Sequence, residues 1–229
     1  MINYWFLISL GLVIFSCNNH SQKTSDQAVE DSEKIPMLFK EQDGIVSMEA
    51  ENATELFGWK EVYGKKNCSN LTLMDLERPE GGKLIYRIYF TTPGAYTIWA
   101  LQAKSTKGYR SDMANDCFAS FDGKSLQING GTSCDDEHGK VIGLGTHQTE
   151  LGWQSRPKTE CVEDRKHHVL FLVKEVGWYS FRIDSRSEGY LLDKLVFVHE
   201  DNPYIPTGTG PHETRFDRSK HDFKISDAG

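Results

Sequence analysis

Glu49 and Glu51 stand two residues apart in Ile45-Val-Ser-Met-Glu-Ala-Glu51, a run that alternates like a β-strand. Alternate strand residues share a face, so both carboxylates point one way and Val46, Met48 and Ala50 the other. Like charges so placed are tolerated when solvated, paired with cations or wrapped around a metal ion. An exposed acidic edge strand is the plainer alternative. Asp193 is the third acid of interest. It interrupts the otherwise apolar run Tyr190-Leu-Leu-Asp-Lys-Leu-Val-Phe-Val198, where a carboxylate is costly unless it has a partner. Lys194 is not its same-face partner, because strand neighbours point to opposite faces. The first and last strands of a jelly roll commonly lie side by side, which would bring Asp193 to Glu49 and Glu51. Three carboxylates with no Arg between them suit a hard cation, Ca²⁺, completed by backbone carbonyls.

The elements that would position these acids are short strands broken by turns. Beyond Ile45–Glu51, the pattern predicts strands at Lys83–Phe90, Ala95–Lys104, Phe118–Phe121, Leu126–Ile128, His168–Lys174, Trp178–Asp184 and Tyr190–Val198. A Thr-Thr-Pro-Gly turn ends the second, and Asp122-Gly123 between two of them is a hairpin signal. The one hint of helix is a turn or two near Ala53–Phe57. Gly130–Gly152 reads as an excursion at one end. This is the pattern of an all-β protein, an antiparallel β-sandwich and a jelly roll.

The chain has 229 residues, a formal net charge of -7 and 11% aromatic residues, with mean hydropathy -0.52. The acidic balance argues against a nucleic-acid partner, which needs a basic surface. Tyr4 to Phe15 is an apolar run too short for a membrane span and suited to a signal peptide. Ile14-Phe15-Ser16-Cys17 resembles a bacterial lipobox, with Cys17 as the lipidated residue, although no Lys or Arg precedes the apolar run. Asn18 follows Cys17, and the Asp of the inner-membrane retention signal is missing, so the outer membrane is expected, in an unspecified leaflet. The organisation expected is a signal peptide over 1–17, a flexible tether over 18–42, a sandwich over 43–202 and a polar tail over 203–229. In an exported protein Cys68, Cys117, Cys134 and Cys161 are compatible with two disulfides of unspecified pairing.

Three stretches together resemble family 6 and family 35 carbohydrate-binding modules over roughly residues 44–200. Ile45–Glu51 looks like the Glu-Ala-Glu strand that opens them. Asn115-Asp-Cys-Phe-Ala-Ser-Phe-Asp-Gly123 looks like their central hairpin. Gly177-Trp-Tyr-Ser-Phe-Arg-Ile183 followed by Gly189-Tyr-Leu-Leu-Asp-Lys-Leu195 is similar to their closing strands. The resemblance implies a galactose-binding-like sandwich and a structural calcium on Glu49, Glu51 and Asp193. It departs at Leu191, where family 6 modules often carry a sugar-contacting Asn.

Candidate sugar contacts follow from chemistry, because pyranose CH faces stack on aromatic rings. Trp153, just before the closing strands, and Tyr109, in a polar loop, are the aromatic candidates; core or lid is the competing role for Trp153. Asn115 and Asp116 are candidates to bond hydroxyls, or caps of their loop. Arg186 is a candidate clamp for an acidic sugar, or a surface Arg. Trp99 and Trp178, within strands, are expected in the core. No phosphate loop, nucleophile elbow or zinc spacing is present, and no carboxylate pair is singled out for glycoside hydrolysis. The expected function is therefore a non-catalytic, calcium-stabilised, carbohydrate-binding lipoprotein of the cell envelope, touching the membrane only through its lipid. Two alternatives are a glycan-active enzyme on a jelly roll and an interaction protein contacting another envelope protein.

Overall fold

The computed structural model describes residues 36–63, 66–69, 72–76, 81–105, 114–121, 126–128, 132–133, 141–155 and 169–220. The strands among them are β1 (Leu38–Lys40), β2 (Ile45–Glu49), β3 (Glu55–Phe57), β4 (Trp59–Tyr63), β5 (Thr72–Leu76), β6 (Lys83–Phe90), β7 (Gly94–Lys104) and β8 (Asp116–Phe121). They continue with β9 (Leu126–Ile128), β10 (Thr132–Ser133), β11 (Val141–Gly145), β12 (Gly152–Gln154), β13 (Val169–Val173), β14 (Gly177–Asp184) and β15 (Tyr190–His199). One sheet runs β1-β6-β14-β8-β11, with β3 also on β6. The other runs β10-β9-β13-β7-β15-β5-β4, with β12 on β7 and β2 on β15. From β6 to β9, and again from β13 to β15, successive strands alternate between the two sheets, the connectivity of a jelly roll. All pairings are antiparallel except β1 with β6.

The core follows from alternation. In β6, Leu84, Tyr86, Ile88 and Phe90 are fully buried while Lys83, Ile85, Arg87 and Tyr89 are half-exposed on the other face. Phe90, Phe121 and Phe181 of the first sheet meet Phe171 and Phe197 of the second, with Phe181 and Phe197 ring centres 5.0 Å apart. Each such ring, fully buried, contributes about 1.5–3 kcal/mol by transfer from water.

β15 departs from alternation, since all ten of its residues are buried. Its second face is covered by the chain beyond it. Thr214 N–H donates to Ser47 O, Ser47 Oγ donates to Pro211 O, and Lys194 Nζ donates to Thr209 O and Pro211 O. Phe216 N–H then donates to Leu38 O. Residues 206–216 therefore form a strap that crosses the second sheet and ends along β1 of the first.

Several expectations change accordingly. The sandwich extends beyond 43–202 on both sides: β1 lies within the expected tether, and Phe39 is a core residue. Within the expected tail, residues 206–216 are the strap, and 221–229 lie outside the described residues. Ala53–Phe57 is not helical; Ala50–Asn52 forms a 3-10 turn and Glu55–Phe57 pairs with β6 as an edge strand. β8 and β9 are not a hairpin, because they lie in different sheets. Parts of Gly130–Gly152 are sheet strands, β10, β11 and β12. Among the described residues, Cys68 and Cys117 do not form a disulfide with each other. Cys117 sits in the closed core, with its Sγ 3.6 Å from Leu144 O, and Cys68 donates to Asp193. Cys134 and Cys161, like Cys17 and Tyr109, lie outside the described residues.

Candidate functional site

The first and last strands of the predicted set lie side by side, with β2 and β15 antiparallel and Glu49 opposite Lys194. The register of β15 against β7 shifts between Leu192 and Lys194. Asp193 occupies this bulge, and a bulge re-aims the side chain it carries. The rule that neighbours face apart therefore fails here. Lys194 Nζ lies 2.7 Å from Glu49 Oε1, while Asp193 accepts from Cys68 Sγ at 2.7 Å and from Ser69 N–H at 2.8 Å. Ser69 Oγ also donates to Glu49 Oε2, so Glu49 and Asp193 converge on one residue of the segment before β5.

Glu51 departs from the expected strand face. The strand ends at Glu49, and Glu51 lies in the 3-10 turn, 8% exposed. Burial raises the carboxyl of Glu49 above its ordinary range, against the lowering effects of Lys194 and Ser69, and the charge of Glu51 adds to the rise. Burial likewise raises Asp193, against its bonds to Cys68 and Ser69. Among the described residues, no three His, Cys, Asp or Glu side chains gather as a metal cage. The oxygens of Glu49 and Asp193 are nevertheless the type a hard cation takes.

A second cluster lies where β8 begins and the β14–β15 connection passes. Arg186 Nη1 is 3.3 Å from Asp116 Oδ2, and Ser187 Oγ donates to Asp116 Oδ1 at 2.5 Å. The Arg186 guanidinium stands over the Phe118 ring, 5.3 Å from its centre. Asn115 O accepts from Thr146 N–H, tying the cluster to the end of β11. Beneath it, Gln102 Nε2 donates to Gly145 O and the Tyr190 hydroxyl bonds Gln102 Oε1. This buried network holds β7, β11 and β15 in register. Asn115, Asp116 and Arg186 are thus brought together as candidates.

Trp153 is not on that cluster. It pairs with Leu101 on β7 and packs against Leu101, Leu151 and Leu191, a small second apolar cluster. Its indole N–H donates to Gly208 O of the strap at 2.9 Å. Leu191, the departure from the family 6 pattern, is buried in the same cluster. Trp178, expected in the core, is instead half-exposed on the outer face of the first sheet, where its ring meets Tyr89 and Phe216 at 5.3 and 5.0 Å. Its row on β14, with Ser180 and Arg182, is a polar row and marks that face in the sequence.

Among solved structures, the chain is similar to the Podospora anserina GH26-CBM35 β-(1,4)-mannanase, at 16% identity and TM-score 0.44 over 72% of this chain and 29% of that one. It is similar to a family 35 carbohydrate-binding module from Clostridium thermocellum, at 12% identity and TM-score 0.43 over 67% of this chain and 96% of that one. A third likeness, at 8% identity and TM-score 0.37, is to a family GH115 4-O-methyl-α-glucuronidase with specificity for decorated arabinogalactans, over 69% of this chain and 18% of that one. The chain thus spans less than a third of the two enzymes and nearly all of the isolated module. All three scores fall below 0.5 and decide nothing about the family. No curated protein matches the chain. The model of the Glycosyl hydrolase family 115 C-terminal domain matches residues 38–213, from β1 through the strap. That match takes in both acid clusters and most of the sequence, and the chain belongs to the Glycosyl hydrolase family 115 C-terminal domain family.

Proposed function

We propose that this β-sandwich is a non-catalytic module that binds polysaccharide or oligosaccharide. The observation that carries the reading is the family itself: residues 38–213 match a domain of a glycosyl hydrolase family. The oriented Asp116–Arg186 pair, with Asn115 beside it, offers a fixed acceptor and a fixed donor for sugar hydroxyls. Tyr109 would add a stacking ring. Trp153 already gives its N–H to the strap and would contribute only its ring. Glycan arrays and affinity gels test the reading. Retardation by at least one polysaccharide, without release of reducing sugar, is expected; absence of binding to every glycan tried overturns it. Released sugar would instead identify an enzyme.

Calcium belongs to the same proposal as a structural ion near Glu49, Glu51 and Asp193. The raised carboxyls of Glu49 and Asp193 support it, since added positive charge would favour their ionised forms. The ion would supply charge and cross-linking there, and no chemistry. The module would be held to the bacterial outer membrane by a lipid on Cys17. Labelling with a radioactive fatty acid, abolished in Cys17→Ser, tests the anchor.

A further inference from the structure

The outer face of the first sheet carries a pattern that the Asp116–Arg186 cluster does not explain. Tyr89 on β6 stands directly opposite Trp178 on β14, and the next pair along the same face is Arg87 opposite Ser180. Lys40 on β1 stands beside Tyr89 on the other side. These five residues are all half-exposed. The strap returns to this face and sets Phe216 against both rings, 6.2 Å from Tyr89 and 5.0 Å from Trp178. Arg182, further along β14, is neutralised by Asp184 at 2.5 Å. The side chains of Arg87 and Lys40 hold no ion pair or hydrogen bond among the described residues. On a protein whose formal net charge is -7, two uncommitted cations flanking an aromatic pair are a local reversal of sign.

We propose that this face binds an anionic polysaccharide, a pyranose ring lying on Trp178 and Tyr89 with its carboxylate or sulfate ester on Arg87 and Lys40. Neighbouring strands are about 4.8 Å apart and same-face residues about 7 Å apart along a strand. A ring on Trp178 therefore has its charged substituent within reach of Arg87. Aromatic faces take the apolar side of a sugar, a guanidinium takes a planar or tetrahedral oxyanion through paired donors, and the Ser180 hydroxyl serves a ring hydroxyl. The proposal rests on the carbohydrate-binding reading and moves the acidic-sugar subsite from Arg186 to the sheet.

The test is affinity electrophoresis and calorimetry of the full chain with polygalacturonate, a sulfated galactan and a neutral galactan. The first two polymers separate carboxylate from sulfate as the recognised group. The expected result is preference for one acidic polymer, weakened as salt rises from about 0.05 to about 0.5 M. Arg87→Gln should lose about tenfold in affinity, the worth of one charged hydrogen bond. Lys40→Gln should lose less, and Trp178→Leu should abolish binding. Unchanged melting temperatures in the Arg87 and Lys40 variants keep the result independent of folding. Equal affinity for neutral galactan, or wild-type affinity in Arg87→Gln and Trp178→Leu, would overturn the sheet-face site and leave carbohydrate binding standing. Failure of the wild type to bind any of the polymers, or any other glycan, would overturn both.

Discussion

Lys194 Nζ lies 2.7 Å from Glu49 Oε1 across the β2–β15 ladder, with the two side chains 4% and 9% exposed. The pair joins the expected first and last strands, and the strap completes it, since the same ammonium also donates to Thr209 O and Pro211 O. Removing one member of a buried pair leaves an uncompensated charge, at a cost of about 3–5 kcal/mol. Glu49→Ala and Lys194→Met should each lower stability by that order in urea unfolding. The double variant should lose less than the sum, because the two sites are coupled. Strict additivity would show that the pair contributes nothing as a pair.

Acid should act on two buried carboxylates with opposite sign. Burial alone would raise Glu41, but bonds from Thr91, Gly44 and Thr92 outweigh it and hold its carboxyl below the usual value of 4.5. Its folded pKa is therefore below its unfolded one. The stability it contributes is present above about pH 4.5 and is lost as pH falls through the folded value. Glu49 is raised by burial, so it takes up its proton more readily folded than unfolded, and acid relieves its cost. Stability curves from pH 7 to pH 3 should be flatter in Glu41→Gln than in the wild type and steeper in Glu49→Gln. The reverse order would contradict these environments.

Calcium should show itself as stability. With free ion at about 100-fold its Kd, a site present only in the folded state contributes about 2.7 kcal/mol. Chelation should lower the melting temperature of the wild type and leave Glu49→Ala and Asp193→Ala unmoved. A wild-type curve indifferent to chelator and to added calcium would dispose of the ion.

The strap should be part of the cooperative fold. Deleting residues 205–229 uncovers Ser47 and Lys194 and removes the Gly208 acceptor of Trp153. At about 1 kcal/mol for each lost buried hydrogen bond, the loss should reach several kcal/mol and open β2 to proteolysis. Wild-type protease resistance in the truncated chain would argue that the strap is an ornament.

Gly210 offers a point test of the same contact. Its φ is +74°, and a Cβ there would stand 2.6 Å from Trp153 Cζ2. Gly210→Ala combines backbone strain of about 1–3 kcal/mol with displacement of the indole. It should lower the melting temperature and change the Trp fluorescence.

Much of the sandwich was legible because burial on one face writes a period of two into a strand. Lys83–Phe90 is the clearest case, and its bounds are those of β6. The juxtaposition of Glu49 with the late strand was legible too. The disposition of the acids was less so. The alternation rule separated Asp193 from Lys194, and only the bulge in β15 explains how both reach the Glu49–Ser69 neighbourhood. Trp178 was misplaced for a related reason. Apolar character suggested core, while its polar row partners Ser180 and Arg182 placed it on the outer face.

By itself the sequence determined the all-β class and most strand positions, since local periodicity is a property of short segments. Tertiary structure alone decided that the strap covers the second sheet, that Lys194 sits against Glu49, and that Trp153 holds the strap while Trp178 faces outward. These depend on contacts between segments distant in sequence, from Trp153 with Gly208 to Ser47 with Thr214. No window of sequence contains both partners.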